Sequence, residues 1–253
     1  MNYAFWNNKG GTGKTSLLFQ VLCRFADKNP TKQILAIDVC PQANLSELLL
    51  GGLEGTGGDN LTALQQNNPR TTLAGYFQIR LPSPYAVPQF DPDDFICRPY
   101  EHNQNIPTNI HLVAGDALVE LQTNALSTLA NTQIPGTDTW LAVVSWLRDF
   151  IATIPANHNY DHVFLDTNPS FSIYTQLGLA TADRLILPVM ADDSSRRALL
   201  NAFSLVHGIN LPSTMYTQYA FSSRLANAGF ALPQAHLIVK NRLTQYMGPA
   251  SAY

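Results

Sequence analysis

A glycine-rich stretch near the start of the chain constrains the fold more than any other feature of the sequence. Residues 8–16 read NKGGTGKTS, between an apolar segment at 2–7 and a helical apolar pattern over Lys14–Lys28. Glycines in such a loop let the backbone approach a ligand closely, and successive N–H groups then point at an anion beside the helix start. A strand, a phosphate-binding loop and a helix in this order predict the start of a doubly wound α/β sheet.

The residues of this loop predict a nucleotide-binding site. We expect Lys14 to reach the β- and γ-phosphates and the Thr15 hydroxyl to ligate Mg²⁺. The predicted contacts with the nucleotide are Lys9, Gly10, Gly11, Thr12, Gly13, Lys14, Thr15 and Ser16. A glycine-rich turn with a solvated lysine is the alternative, and the position of the loop between a strand and a helix disfavours it.

Two aspartates stand where a nucleotide-bound metal ion needs carboxylates. Asp38 ends an apolar segment at 33–38, and Asp166 ends another at 162–166. Ligands of open parallel sheets bind at the carboxyl ends of the strands, so both side chains are expected to face the loop. Either carboxylate can hold Mg²⁺ through a water molecule, and the alternative is that each merely caps a helix.

The rest of the chain continues the pattern of strands and helices. Further strands are predicted at 110–115, 184–189 and 236–241, and further helices at 42–50, 116–130, 138–154 and 194–206. We therefore predict one α/β domain over 1–253, with a doubly wound, mostly parallel sheet and helices on both faces. Residues 51–110 are rich in glycine and proline, and they are predicted as an excursion within this domain, either mobile or packed on the sheet.

Composition excludes several classes of protein. Charged residues make up 13% of the chain and the net charge is −3, which gives no strong field for nucleic acid or an anionic membrane. No apolar run reaches the ~18 residues of a membrane span, and no signal-peptide pattern precedes the first strand. The three cysteines, Cys23, Cys40 and Cys97, are widely spaced, as in proteins that keep reduced thiols. We expect a cytoplasmic protein that does not bind membranes.

Four segments resemble a known family when they are taken together. KGGTGKTS at 9–16, DVCPQANLS at 38–46, YDHVFLDTNPS at 160–170 and ADRLILPVMADD at 182–193 are similar to the ParA/MinD family of deviant Walker-A ATPases. The likeness covers most of residues 1–242 and is closest to the ParA partition branch. It implies an ATPase that uses ATP and Mg²⁺, forms an ATP-sandwich homodimer, and positions a plasmid, a chromosome or a protein cargo with a stimulating adaptor protein.

The resemblance also implies roles for single residues. Lys9 would cross the dimer interface to the partner's ATP, while Lys14 serves the ATP of its own chain; with Asp38 these are the expected catalytic residues. Asp38 would lie near Mg²⁺ in switch I, and Asp166 would be the Walker B acid. Asn241 stands where the family contacts the adenine base, although an asparagine at a strand end is often only a turn former.

One residue departs from the family pattern in switch I. Where the family reads D-x-D-P-Q, this chain has Cys40 in place of the second aspartate, which positions the attacking water. A thiol cannot orient water as a carboxylate does, and a positioned base typically supplies about 10²–10⁴-fold in rate. We therefore expect slow hydrolysis. Cys40 as a nucleophile or redox sensor is the alternative, but a small buried apolar side chain is the favoured interpretation.

The alternatives for function are a scaffold or signalling module that binds ATP with little hydrolysis, and a ligase that resembles dethiobiotin synthetase. The switch sequence PQANLSE argues against the ligase, and no cysteine follows Cys97, which excludes an electron-transferring iron protein of the nitrogenase type. DNA binding stays open but is not indicated by charge, because basic residues near the end are few: Arg196, Arg197, Arg224, Lys240 and Arg242. The final segment LTQYMGPASAY is not a basic amphipathic helix, so membrane targeting is not expected.

Overall fold

The computed structural model describes residues 1–155 and 160–241. In this part of the chain six strands form one sheet: β1 (Asn2–Phe5), β2 (Ile34–Asp38), β3 (Ile110–Val113), β4 (His162–Asp166), β5 (Arg184–Val189) and β6 (Gln234–Lys240). Their order across the sheet is β3-β2-β4-β1-β5-β6, and each neighbouring pair is parallel. The predicted doubly wound parallel sheet is confirmed.

Ten α-helices lie in the same described residues. They are α1 (Lys14–Lys28), α2 (Asn44–Leu50), α3 (Gly57–Gln66), α4 (Leu73–Arg80), α5 (Leu118–Asn131), α6 (Thr139–Val144), α7 (Trp146–Thr153), α8 (Ile173–Thr181), α9 (Asp193–His207) and α10 (Phe221–Asn227). The helix predicted over 138–154 is divided at Ser145 into α6 and α7. Short 3-10 turns occur at Pro92–Phe95, Pro99–Glu101 and Thr214–Tyr219, and one π turn at Gly52–Thr56.

Strands β1 to β5 bury side chains on both faces of the sheet, because successive side chains of a strand point to opposite sides, whereas the edge strand β6 is largely exposed. Ala4 of β1 and Leu165 of β4 pack into one apolar cluster, which includes residues of α4 to α10. Their neighbours Phe5 and Phe164 pack into the other, which includes residues of α1, α2 and α3. Helices therefore cover both faces, as predicted, and the carboxyl ends of the strands remain as the edge where a ligand can bind.

The excursion at 51–110 contains two helices that the sequence pattern did not indicate. Helix α3 contacts α2, and α4 is inserted into the larger apolar cluster, where Tyr76 and Phe77 are fully buried. Helix α4 is apolar on nearly every side, so it lacks the one-sided spacing by which an amphipathic helix is recognised. Helix α8 was not predicted for the same reason, since eight of its nine residues are buried. The extent of the domain, 1–253, stays a prediction.

Within the described residues, no helix is both long and apolar enough to cross a bilayer. The cysteines Cys23, Cys40 and Cys97 are all free thiols. Arg242 and the segment 243–253, for which no membrane-binding helix is predicted, lie outside the described residues.

Candidate nucleotide-binding site

The loop between β1 and α1 has the backbone of an anion-binding turn. Gly11 and Gly13 have φ angles of 72° and 77°, in the left-handed region that favours glycine. Gly13 is the N-cap of the 15-residue helix α1, and among the residues that the structure describes no side chain caps its first turn. The first N–H groups of a helix have no partner within the helix, and together with the helix dipole they favour a negative ligand.

Lys14 lies inside the loop rather than in solvent. Only 6% of its surface is exposed, and its Nζ lies 3.5 Å from the carbonyl oxygen of Lys9. Burial lowers the pKa of Lys14, and the nearby Asp166 carboxyl opposes this shift. A buried ammonium with few hydrogen bonds is costly, and phosphate oxygens would stabilise its charge. The alternative of a solvated lysine in a glycine-rich turn is therefore wrong for this position.

Asp166 and Thr15 form the part of the site that fits a magnesium ion. The Thr15 hydroxyl donates to Asp166 Oδ2 at 2.7 Å, while Oδ1 of this fully buried carboxyl has no hydrogen-bond partner in the described part of the chain. Burial, and then the neighbouring Asp38, raise the pKa of Asp166. A buried carboxylate oxygen without a partner is unfavourable unless a cation or donor meets it. Carboxylate and hydroxyl oxygens are ligands that suit Mg²⁺.

Two further buried oxygens of the loop have no hydrogen-bond partner among the described residues. They are Thr12 Oγ1 and Asn8 Oδ1, and Thr12 is fully buried. With Asp166 Oδ1, three such oxygens belong to the loop and to the strand end beside it. Native proteins leave few buried polar atoms unpaired, so a cluster of them is typical of a site that meets a ligand.

Asp38 lies beside Asp166 but its oxygens are already engaged. The two residues are paired in register between β2 and β4. Asp38 Oδ2 accepts from the backbone N–H of Ser46 at 3.0 Å and from its hydroxyl at 2.8 Å, and Oδ1 accepts from the Cys40 N–H at 3.2 Å. Burial raises the pKa of Asp38, and these hydrogen bonds partly oppose the shift. Asp38 therefore fixes the start of α2.

Ser46 is a site residue that sequence reasoning missed. It is fully buried, and besides its bonds to Asp38 its Oγ accepts from the Gly115 N–H at 2.8 Å. Gly115 follows β3 closely, and a Cβ there would lie 3.0 Å from Asp38 Cγ and 2.9 Å from the Cys40 carbonyl oxygen. The loop after β3 is thus pressed against switch I. The serine in DVCPQANLS carries no local signal for this contact, because Gly115 is distant in sequence.

Lys9 is bound by its own chain in this structure. Its Nζ donates to both carboxylate oxygens of Asp192, at 2.9 and 2.8 Å, and to the hydroxyls of Ser194 and Ser195 at 2.5 and 3.2 Å. Asp192 also caps α9 by accepting from the Ser195 N–H at 2.6 Å. The Lys9 ammonium beside it holds the pKa of Asp192 well below its usual range. The sequence missed Asp192, although DDSS before a helix is a common capping pattern.

Asn7 anchors the backbone next to Lys9. It is fully buried, its Nδ2 donates to the Pro188 carbonyl oxygen at 2.7 Å, and its Oδ1 accepts from the Lys9 N–H at 2.9 Å. This residue ties the end of β1 to β5, and so fixes where the loop begins. It too was missed by sequence reasoning.

Cys40 is a buried thiol close to the loop. Its exposed fraction is 8%, and its nearest side-chain hydrogen bond is a long one from Asn168 Nδ2, at 4.0 Å from Sγ. Burial, with Asp38 as the next cause, raises the pKa of Cys40 to about 12. The thiol is thus protonated at neutral pH, and a protonated thiol is a poor nucleophile. The geometry favours the interpretation of Cys40 as a small buried side chain.

The remaining predicted contacts are distributed as follows. Asn241 Nδ2 donates to the carbonyl oxygens of Thr12 and Gly13, at 3.0 and 3.4 Å, so Asn241 reaches the loop itself. Its contact with adenine stays a prediction. Ser16, in the first turn of α1, and Gly10 are exposed. The structure therefore brings together Lys14, Thr15, Asp38, Asp166 and Asn241, while Lys9 turns toward α9.

Comparison with known proteins agrees with this geometry. A sequence model of the family described as AAA domain matches residues 2–212. A search of the curated proteins finds no significant match.

Several solved structures share the fold. A putative plasmid partition protein from Borrelia burgdorferi B31, bound to AMPPNP, is 20% identical over 95% of this chain and 77% of that chain, with a TM-score of 0.57. Apo McdA from Cyanothece is 16% identical over 99% of this chain and 75% of that chain, with a TM-score of 0.63. Cobyrinic acid a,c-diamide synthase from Mycobacterium smegmatis, with an ATP analogue and magnesium, is 18% identical over 83% of this chain and 68% of that chain, with a TM-score of 0.54.

Proposed function

Because this chain belongs to the ParA/MinD family of P-loop ATPases, within the AAA-domain proteins, we propose that it is an ATP-dependent dimerisation switch. It binds ATP with Mg²⁺, hydrolyses it slowly, and positions a plasmid, a chromosome or a protein cargo in the cytoplasm. A partition protein among its structural neighbours supports this choice of cargo class. An adaptor protein that sets the lifetime of the ATP-bound state is part of the proposal, and the charge balance does not indicate DNA as the partner.

The observation that carries the proposal is the set of unpartnered buried oxygens beside a buried lysine. Lys14 and the N–H groups of the loop would hold the phosphates, and the Thr15 hydroxyl with Asp166 Oδ1 would hold the metal ion. When bound, Mg²⁺ neutralises charge on the phosphate oxygens. Asp38 keeps switch I in place through Ser46.

The binding half of the proposal is tested by replacing the loop lysine. Lys14→Ala removes the buried ammonium, so we expect no measurable ATP binding by titration calorimetry in the presence of Mg²⁺. Lys28→Ala is the matched control, because Lys28 is an exposed lysine in the last turn of the same helix. Wild-type ATP affinity in Lys14→Ala would refute the assignment of this site.

Dimerisation requires a change at Lys9. A lysine that contacts the ATP of a partner subunit cannot at the same time bind Asp192 of its own chain. The ion pair of Lys9 and Asp192 is partly exposed, with side-chain exposures of 24% and 32%, and such pairs contribute little free energy. Phosphate oxygens can therefore replace Asp192 as the partner of Lys9. We therefore propose that ATP binding and dimer formation move Lys9 from Asp192 to the second nucleotide.

A second candidate keeps the fold and the ATP site but lacks turnover. Cys40 favours it, because the thiol is neutral, buried and unable to act as a base. In that case the protein is an ATP-binding scaffold or signalling module. Release of phosphate, measured with and without a candidate adaptor, separates the two functions.

A further inference from the structure

Asn168 is a polar side chain that contacts the Cys40 thiol. It stands two residues beyond the end of β4, and its Oδ1 accepts from the Ser170 N–H at 3.1 Å. Because this bond fixes which end of the amide is oxygen, Nδ2 is the end that faces Cys40 Sγ, at 4.0 Å. The amide therefore lies against the residue of switch I that borders the nucleotide loop.

The same corner of the site contains the groups that would hold the phosphates. The N–H of Val39, the residue before Cys40, donates to the Asp166 carbonyl oxygen at 2.9 Å, and the Asp166 side chain accepts from the Thr15 hydroxyl of the loop at 2.7 Å. Asn168 is attached to Asp166 through a single intervening residue, the buried Thr167, whose hydroxyl donates to the Phe5 carbonyl oxygen at 2.7 Å. This bond between β4 and β1 holds the start of the 167–172 segment beside the loop.

The charged groups near Cys40 either have hydrogen-bond partners or have roles in the proposed site. Both oxygens of Asp38 accept hydrogen bonds from Cys40 and Ser46, and Lys14 and Asp166 would meet phosphate and metal. The Cys40 thiol is a weak donor and a weak acceptor. By contrast, a primary amide has two N–H donors and an oxygen with two lone pairs. Within residues 1–155 and 160–241, Asn168 commits only one lone pair, to the Ser170 N–H, and one long contact, to sulfur.

We propose that Asn168 orients the water molecule that attacks the γ-phosphate, a task that Cys40 cannot perform. The inference rests on the proposed ATPase function. The water oxygen forms a bond to the γ-phosphorus, and the bond from phosphorus to the bridging oxygen breaks with its electron pair leaving on ADP. The amide is not a base, so the proton of the water passes to a γ-phosphate oxygen. An amide side chain orients the attacking water in other P-loop enzymes too.

Two substitutions separate this role from support of the local turn. Asn168→Ala removes both the amide and the bond to Ser170. Asn168→Ser keeps a side-chain oxygen that can accept from the same N–H, but it is too short to present an amide beside Cys40. Asn201→Ala, an exposed asparagine on α9, is the matched control. At saturating Mg²⁺ and ATP, we expect both Asn168 variants to hydrolyse a single turnover about 10-fold more slowly or worse, and the control to match the wild type.

A binding measurement and a rescue complete the test. ADP with aluminium fluoride mimics the phosphoryl group with its attacking water, so both Asn168 variants should bind it about 10-fold more weakly and bind a non-hydrolysable ATP analogue normally. Cys40→Asp should restore hydrolysis in the Asn168→Ala background, because a carboxylate beside the water replaces the lost amide but cannot restore the turn.

The outcomes decide between the claims. The inference is overturned if Asn168→Ser hydrolyses ATP at the wild-type rate, if both analogues lose affinity equally, or if Cys40→Asp fails to rescue Asn168→Ala. Wild-type protein that binds ATP without turnover also overturns it, and favours the scaffold function. Wild-type protein that binds no ATP instead refutes the proposed function itself.

Discussion

At the scale of single residues, the chemistry of switch I depends on one position. Cys40 lies two residues beyond Asp38, and burial raises the pKa of its thiol to about 12, so that it is protonated at neutral pH. In the proposed site Asp166 would hold the metal ion and Asp38 fixes the start of α2 through Ser46, so we expect nucleotide binding without a carboxylate at position 40. A neutral thiol cannot take a proton from water, so in the proposed ATPase another group, Asn168, orients the attacking water.

Replacing this thiol by the carboxylate of the family pattern is therefore expected to raise the rate. Cys40→Asp should increase single-turnover hydrolysis at saturating ATP by about 10-fold or more. The added negative charge near the phosphates opposes ATP binding, so affinity is measured alongside the rate. Cys40→Ser, which adds a polar group without a charge or a base, is the matched control. An unchanged rate in Cys40→Asp would show that position 40 does not limit hydrolysis.

The residues that the sequence could not reveal are those whose partners are far away along the chain. Lys14, Thr15 and Asp166 were predictable, because a loop motif and the ends of apolar strands mark them locally. The partner of Lys9 is 183 positions away at Asp192, and Ser46 meets Gly115 across 69 positions. Only the fold brings such pairs together, and no periodicity or spacing in the sequence predicts them.

At the scale of elements, the parallel strands β2 and β4 place two carboxyl groups side by side. Asp38 and Asp166 are fully buried at the ends of these strands and paired in register. Burial and mutual repulsion raise the pKa of Asp166, and burial raises that of Asp38. In the unfolded chain these carboxyl groups have an ordinary pKa of about 3.9. At a pH above that value, the folded protein without metal therefore binds more protons than the unfolded chain does.

This difference predicts how stability depends on pH. When the folded pKa is raised, the stability present below the unfolded pKa is lost as pH rises through the folded value. The free energy of unfolding without Mg²⁺ should fall between about pH 5 and 8, by at most about 1.4 kcal/mol per pH unit for each proton. Asp166→Asn removes one titrating carboxyl group, so the free energy of unfolding should depend less steeply on pH. The free energy is measured by urea titrations at several pH values. Asp59→Asn, at an exposed aspartate of α3, should leave this dependence on pH unchanged.

A stability that rises with pH over this range would contradict the pairing of the two acids. So would an equal slope in Asp166→Asn and the wild type.

The elements themselves were predicted unevenly. Strands such as β4 and β5 were predicted at their observed bounds, because short apolar runs bounded by polar residues mark buried parallel strands. Helices α4 and α8 were missed, since apolar residues surround them and no one-sided period remains. The break at Ser145 also has no signal in sequence, because no proline or glycine interrupts the pattern there.

At the scale of the whole molecule, we propose two states of Lys9. In the single chain, Lys9 is held by Asp192 at the start of α9, and the loop around Lys14 is shaped for phosphate. In the proposed dimer, Lys9 contacts the ATP of the second subunit. Breaking the ion pair between Lys9 and Asp192 would thus accompany dimer formation. We expect dimerisation to depend on Lys9, and nucleotide binding not to depend on it.

The most direct test of this claim is the molecular mass in solution, measured by light scattering with Mg²⁺ and either ADP or a non-hydrolysable ATP analogue. We predict that the wild type doubles its mass only with the ATP analogue. Lys9→Ala should bind the analogue and remain a monomer, while Lys28→Ala should dimerise as the wild type does. A wild type with the same mass in both nucleotides, or a Lys9→Ala variant that dimerises normally, would contradict the account.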